Sequence, residues 1–495
     1  MKIPSWILLF VSVLTPGFCR TQDTLRLTLT EALRLGQEHS VDALVARNEY
    51  ISAYWEYRTF RTELLPEVTL SGTLPYYSKS YNSLQNDDGS WEYVANNYHR
   101  IDGGVSISQN IPWTGGKITV ESSIEQLHQY GGNGYTSYKS VPGSIILEQP
   151  LFGFNRIRWL QRIEPIKYHE ATRQLTSNLE EVSLTVLRCY FDLLMGRTNL
   201  DIAEQNLRNA ERLYRISEAE HRIGRLSEID LMRMRSSLLS AEAAQSEAVI
   251  SLESRMFTLR SLLGIDEGKI LQAELPKFIT EQISSLSYRE VIDLAHQNHP
   301  FFQNIQRRSL EASRDVSQAK AERHDISLFA SFGMSGKARA LGQAYDPHDW
   351  RDDQVISVGI SIPILDWGKR KGEVRMAEAN RELTLSRIEK EKTDFDQNVF
   401  LQVQYFNSQP HRLKLAEENA ELAVQRYETT VEAFIRGKTD ILTLNDAQSS
   451  KDAALQDCIE QMYRLWDYYF RIRSLTLYDF IEDKPIETEL PEGQF

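Results

Sequence analysis

The sequence predicts an α+β membrane protein of two internal repeats, with long antiparallel coiled-coil helices joined to strands of the kind that form β-barrels. Three observations carry this reading. The halves of the 495-residue chain resemble one another segment by segment, two stretches keep a 3-4 apolar spacing far longer than a globule needs, and short period-two segments lie before them.

Composition narrows the function classes first. Hydrophobic residues make up 41% and charged residues 25%, the balance of a folded chain, and the net charge of -13 leaves no source for phosphate neutralisation. Nucleic-acid binding is therefore not expected. Lys2, the apolar run Ile7 to Leu14, then Pro16, Gly17 and Cys19 form the layout of a secretory signal peptide over residues 1–19, with cleavage before Arg20. Lipidation at Cys19 stays open, although Phe18 stands where lipoprotein processing wants a small residue. No later stretch approaches the ~20 apolar residues of a membrane helix, so any membrane crossing falls to β-strands.

The repeat is explicit. Leu29-Thr30-Glu31-Ala32-Leu33-Arg34-Leu35 matches Tyr288-Arg289-Glu290-Val291-Ile292-Asp293-Leu294 at an offset of 290 - 31 = 259. Ser144 to Phe152 matches Ser357 to Leu365 without a gap at 363 - 150 = 213, and the same offset pairs Tyr214 with Tyr427 and Gly224 with Gly437. The difference, 259 - 213 = 46, assigns about 46 extra residues to the first half, ahead of Pro150. Each half reads as helix, strands, very long helix, tight turn and returning helix.

The long helices are expected from their seams. Leu179, Val182, Val186, Cys189, Leu193, Gly196, Leu200, Ala203, Leu207, Ala210 and Tyr214 keep a 3-4 spacing, repeated by Leu413, Ala416, Ala420, Ala423, Tyr427, Thr430 and Phe434. A helix from about Phe154 to about Arg222 spans roughly 100 Å. The strands show period two in Val68, Leu70, Gly72 and Leu74, in Val105 and Ile107, in Ile118, Val120 and Ile124, and in Ile356, Val358, Ile360 and Ile362. Tyr76, Tyr77, Trp91, Tyr93, Trp113, Tyr130, Tyr135 and Trp350 cluster around them, as an interfacial girdle requires, and a soluble hairpin with aromatic packing is the alternative. The polar stretches 82–90 and 131–138 are expected as exposed loops.

Two turns stand out. Ile223-Gly224-Arg225-Leu226-Ser227-Glu228-Ile229-Asp230-Leu231 and Arg436-Gly437-Lys438-Thr439-Asp440-Ile441-Leu442-Thr443-Leu444 each offer a glycine to end one helix and, three residues later, Ser227 or Asp440 to cap the next. Two such turns, with the junctions Gln149-Pro150-Leu151-Phe152-Gly153-Phe154 and Ile362-Pro363-Ile364-Leu365-Asp366-Trp367-Gly368, resemble the TolC-like outer-membrane efflux proteins across essentially the whole mature chain.

That resemblance implies a homotrimer sharing one β-barrel in outer-membrane lipid and continuing as an α-helical tunnel into the periplasm. It implies a first repeat over 20–263 with strands at about 66–149, and an equatorial connection over 264–287. The second repeat covers 288–475 with strands at about 326–362, and an equatorial tail covers 476–495. The turns near 224 and 437 look like periplasmic tips, with Gly224, Arg225, Leu226, Ser227, Asp230, Gly437, Lys438, Thr439 and Asp440 docking an adaptor that connects the duct to an inner-membrane pump. Asp440, Thr443 and Asp446 are the candidate constriction, where a ring of carboxylates favours cations. Thr443 stands where the family often carries a carboxylate, and a solvated helix face is the alternative reading. The family usually has two strands per half, so the extra residues around Ile111 to Lys117 leave two options, four strands in the first half or two plus an external hairpin. Pro410 is a further departure, expected to kink its helix or remove a hydrogen bond.

No GxSxG, HExxH or P-loop is present, so neither an enzyme nor a cofactor is expected. His296 and His299 read as helix-end polarity rather than metal ligands. An efflux channel accounts for export, duplication, strands and turns together; a type I protein-secretion duct and an exported coiled-coil scaffold or adhesin are the alternatives.

Overall fold

The structure is a computed structural model that describes residues 24–490 apart from 86, 88, 132, 133, 152, 267, 277–284, 324, 362–364 and 489. The signal peptide with Cys19, residues 362–364 of the second junction, 277–284 of the equatorial connection and 491–495 of the equatorial tail lie outside the described residues.

β1 (Thr24–Leu27) leads into α1 (Leu29–His39) and α2 (Val41–Glu63), followed by β2 (Glu67–Gln85), β3 (Trp91–Ile111), β4 (Gly116–Gln129) and β5 (Tyr135–Pro150). Then come α3 (Arg156–Arg222), α4 (Glu228–Leu263) and β6 (Ile270–Ala273). The second repeat runs through α5 (Tyr288–Asn298), α6 (Pro300–Ala321), β7 (Asp325–Ala338), β8 (Trp350–Ser361), α7 (Lys369–Ile435) and α8 (Ile441–Thr476), and β9 (Tyr478–Asp479) pairs with β10 (Lys484–Pro485).

The duplication appears as equal lengths: α3 and α7 have 67 residues each, and α4 and α8 have 36 each. The surplus of the first repeat therefore falls between α2 and α3, where four strands stand against two in the second repeat. α7 continues through Pro410, and α3 continues through Pro165, which the sequence reading did not single out. Each proline removes one backbone donor, and buried apolar residues on either side, Ile163 and Leu175 about Pro165 and Phe406 and Leu413 about Pro410, supply the packing that carries the helix through.

Two compact units share the chain, each drawing on both repeats. The first takes residues 1–46, 178–291 and 399–486. α1 starts with a reciprocal capping box, Thr28 accepting from the Glu31 amide while Glu31 accepts from the Thr28 amide. Its Gly36 packs so tightly on Val186 that a β-carbon would collide with the valine side chain. The seam residues Leu179, Val182, Val186 and Leu193 are buried, and beside them the Tyr190 hydroxyl shares its one proton between the carbonyls of Leu27 (2.9 Å) and Glu274 (2.6 Å). Tyr190 thereby fastens the parallel pair β1–β6.

Further along the same unit, Leu213, Met234, Tyr427, Leu444 and Ala447 form one core cluster that joins the helical hairpins of the two repeats. Asn206 donates to Asp452 (2.7 Å) and Gln456 to Asn199 (3.1 Å) across them. In the last turns of α8, Arg473 holds Glu180 (2.9 Å) and Asp479 (2.8 Å), and the Tyr469 hydroxyl donates to Asp479 (2.6 Å). Cys189 and Cys458 are both free thiols.

The second unit takes residues 47–177, 292–398 and 487–495 and holds a six-stranded antiparallel sheet in the order β2-β3-β4-β5-β7-β8. Its register separates two faces. Val68, Ile107, Val120, Ile145, Phe332 and Gln354 lie side by side along one rung, while the adjacent rung on the other face is Thr69, Ser106, Glu121, Ser144, Gly333 and Asp353. The period-two segments are thus paired with one another, and all four strands of the first repeat join the same sheet. Strand extends further than expected in two places, because β2 runs to Gln85 and β5 starts at Tyr135. The mainly polar stretch Asn82 to Gln85 is held there by cross-strand partners that include Tyr93 and Trp91.

In the same unit His299 caps α6, its Nδ1 accepting from the Phe301 amide (3.2 Å), and its ring lies 5.1 Å from that of Phe395. Burial lowers its pKa to about 4. His296 instead bonds Asp396 (2.8 Å), so the two histidines serve separate structural roles.

Candidate functional site at the helical turns

The two turns share one backbone design. Gly224 has φ +76° and Gly437 φ +70°. In the first, the Gly224 amide donates to His221 and the Arg225 amide to Glu220, each at 2.9 Å; in the second, Gly437 donates to Phe434 and Lys438 to Ala433, again at 2.9 Å. This 6→1 with 5→2 pairing is the Schellman ending, and it requires the left-handed residue that glycine supplies. His221 Nδ1 also donates to the Leu226 carbonyl (3.0 Å), closing the first turn on itself.

The returning helices start where the sequence placed their caps. Ser227 accepts from the Asp230 amide (3.1 Å) and donates to the Asp230 carboxylate (2.7 Å). Asp440 accepts from both the amide (2.8 Å) and the hydroxyl (2.6 Å) of Thr443, and those two bonds hold its pKa below the usual carboxylate value. Asp446 forms an ion pair with Arg426. Asp440, Thr443 and Asp446 therefore stand together near one turn, each carboxylate already engaged within its own chain.

Both turns open onto one groove of about 920 Å³, lined among others by Leu226, Asp230, Phe434, Thr439, Asp440 and Asn445. Arg225 and Lys438 are exposed beside it, as are the apolar side chains of Ile223, Ile229 and Leu442. Around Gly224 and Gly437 an added β-carbon would meet no atom within 4 Å, so the turn apices face open space. The sequence reading found the two turns separately; the structure brings them to one groove. It missed the polar residues beneath, Asn206, Asn209, Lys451 and Asp452, because each gains meaning only from a partner in the other repeat.

Among the described residues no group of three or more His, Cys, Asp or Glu side chains could hold a metal ion, and no helix is long and apolar enough to cross a membrane. No curated protein matches the sequence. Solved structures do match its fold. The Campylobacter jejuni CmeC outer membrane channel aligns over 93% of this chain and 87% of its own, at 15% identity and TM-score 0.65. The open state of the Neisseria gonorrhoeae MtrE outer membrane channel covers 90% and 88%, at 16% identity and TM-score 0.60. The outer membrane protein VceC from Vibrio cholerae covers 93% and 97%, at 14% identity and TM-score 0.59. The sequence profile described as Outer membrane efflux protein matches residues 35–265 and 291–476, one segment in each repeat. With that match spanning most of its length and both of its repeats, the chain belongs to the outer membrane efflux protein family.

Proposed function

We propose that this chain is the outer-membrane channel of a tripartite efflux system, a passive duct of three copies that carries substrates from an inner-membrane pump to the exterior. The observation that carries the reading is the two-faced sheet. One face repeats Val, Ile and Phe across neighbouring strands while the other repeats Thr, Ser and Asp, which suits lipid outside and water inside.

Aromatic positions support the same assignment. Tyr77, His99 and His128 share a rung with Tyr130 beside them, and Trp113 stands exposed in the turn at the other end of β3. From Ile111 to His99 the strand covers roughly 40 Å, or about 30 Å along the membrane normal at a tilt near 40°, close to the apolar band of such barrels.

The chain uses no energy source of its own on this reading, so transport is driven by the pump. The periplasmic adaptor docks at the turns, through Gly224, Arg225, Leu226, Ser227 and Asp230 of one and Gly437, Lys438, Thr439 and Asp440 of the other. Helix-turn segments seat in grooves of this kind. Asp440, Thr443 and Asp446 form the constriction, the helical part extends into the periplasm, and the domain boundaries are those of the two repeats. Expression in an efflux-deficient strain tests the reading: the protein should fractionate with the outer membrane, migrate as a heat-sensitive trimer and, with its pump and adaptor, restore efflux. Recovery as a soluble monomer would overturn it.

A further inference from the structure

We infer that the barrel closes by pairing β8 of one copy with β2 of the next, so that all six strands of each copy stay in the wall. Three copies of a six-stranded sheet then make a barrel of eighteen strands. The inference rests on the trimeric outer-membrane reading above and adds the surface by which copies join.

Among the described residues the sheet ends in two unpaired edges, β2 and β8. Every neighbouring pair in it is antiparallel, and five such steps leave β8 running opposite to β2. An antiparallel ladder can therefore continue from β8 into the β2 of a second copy, and the same contact repeats around a ring without a mismatched pair. An even number of strands per copy is what permits this.

The edges carry their protection at one end only. On β2, Pro75 sits in the register shift between Thr73 and Tyr76 and offers no N–H, and Lys79 lies beyond it. On β8, Arg351, Asp352 and Asp353 occupy the matching end, where that strand begins. Between these features and the helices remain two segments of eight residues each, 67–74 on β2 and 354–361 on β8. Neither contains a proline or a lysine, the residues that usually blunt an exposed edge. Instead they expose apolar side chains on the face already assigned to lipid, Val68 and Leu70 on β2, Ile356 and Val358 on β8. Unpaired backbone is not tolerated in hydrocarbon, and a second copy of this chain supplies the complementary edge with the right direction, length and two-faced pattern.

Above Pro75 the outcome differs. Residues 79–85 of β2 pair with 91–97 of β3, and β4 begins its pairing with β3 only at Tyr98. This end of the hairpin stands beyond the shared wall.

Cysteine cross-linking in the whole membrane-inserted protein tests the closure. In a background with Cys189→Ala and Cys458→Ala, Thr69→Cys or Ser71→Cys is combined with Val355→Cys or Ser357→Cys, all on the water-facing side. A mild oxidant should convert the heat-sensitive trimer into one that survives boiling without reductant, in at least one combination. A parallel set places Thr119→Cys or Glu121→Cys of β4 against the same β8 positions. Cross-linking of β4 to β8 would mean that the β2–β3 hairpin leaves the wall and four strands per copy remain, which overturns the inference while the trimeric channel stands. A trimer that links in neither set overturns it equally. Absence of any outer-membrane trimer defeats the channel reading itself, and the closure with it.

Discussion

The ammonium of Lys451 lies 4.6 Å from the centre of the Tyr427 ring, at a position only 2% exposed. Asp452 (3.1 Å) and Asn206 (3.4 Å) complete its surroundings, and Asn209 donates to the Tyr427 hydroxyl (3.0 Å). A buried cation over a ring is stabilised by about 2 kcal/mol. Tyr427→Leu, which removes the ring and leaves the charge, should lower thermal stability far more than Lys451→Met, which removes the charge and keeps the apolar stem. The double mutant should recover about 2 kcal/mol relative to the sum of the single effects. Additivity in the melting of the purified protein would mean that the ring does not hold the ammonium.

Arg473 is the next expected weak point. It stands between Glu180, 1% exposed, and Asp479, so truncation leaves two carboxylates without their cation. Arg473→Ala should cost about 3–5 kcal/mol, and adding Glu180→Gln with Asp479→Asn should restore much of it. Chemical denaturation of the parent and the two variants compares them directly.

For the turns, replacing Gly224 and Gly437 together with valine forces a β-branched residue to φ near +70°, at roughly 1–2 kcal/mol each. No neighbouring atom opposes the new side chains, so the effect stays local. The trimer should assemble and insert at normal abundance yet fail to support efflux. Restored efflux in a deletion strain would remove the turns from the docking surface.

Charge at the proposed constriction gives a paired test. Asp446→Asn frees Arg426 and should shift channel selectivity toward anions, whereas Arg426→Gln frees Asp446 and should shift it toward cations. Reversal potentials in a salt gradient across a planar bilayer read both. Unchanged values in both variants would place the ion pair away from the permeation path.

Acid should weaken the cap of α6. Burial lowers the pKa of His299 from its ordinary 6.5 to about 4, so between these values the unfolded chain binds the proton that the folded chain refuses. Stability from this residue is complete above pH 6.5, declines as pH falls toward 4, and totals on the order of 3 kcal/mol. His299→Asn keeps an N-cap without a titrating group, and its melting temperature should fall less between pH 7 and pH 4.5 than that of the parent.

Much of this architecture was legible because a long helix and a period-two strand write their spacing directly into sequence. The seam residues Val186 and Leu193 and the strand residues Val68 and Ile107 needed no knowledge of their partners. Lys451 was not legible: its spacing marks only a helix position, and its hydrogen-bonding partner Asn206 lies 245 residues away. Tyr190 was missed for a related reason, since its value lies in two carbonyls supplied by β1 and the residue following β6. The outer parts of β2 and β3 hid their strand character because they are largely exposed, so no buried side imposes a strict alternation there. The two turns were legible through glycine and cap, but the groove they share depends on packing between hairpins from different repeats.

The interleaving of the two units governs how such a chain can be delivered. Each unit needs stretches from near the start, the middle and toward the end of the sequence, the first of them closing only with residues 399–486. Neither can be completed while the polypeptide is still threading through a translocon, so the apolar stripes of α3 and α4 wait for α7 and α8. The molecule thus matures late and at once, and the interval before its last hundred residues arrive is when it most needs a chaperone that shields unfolded chain.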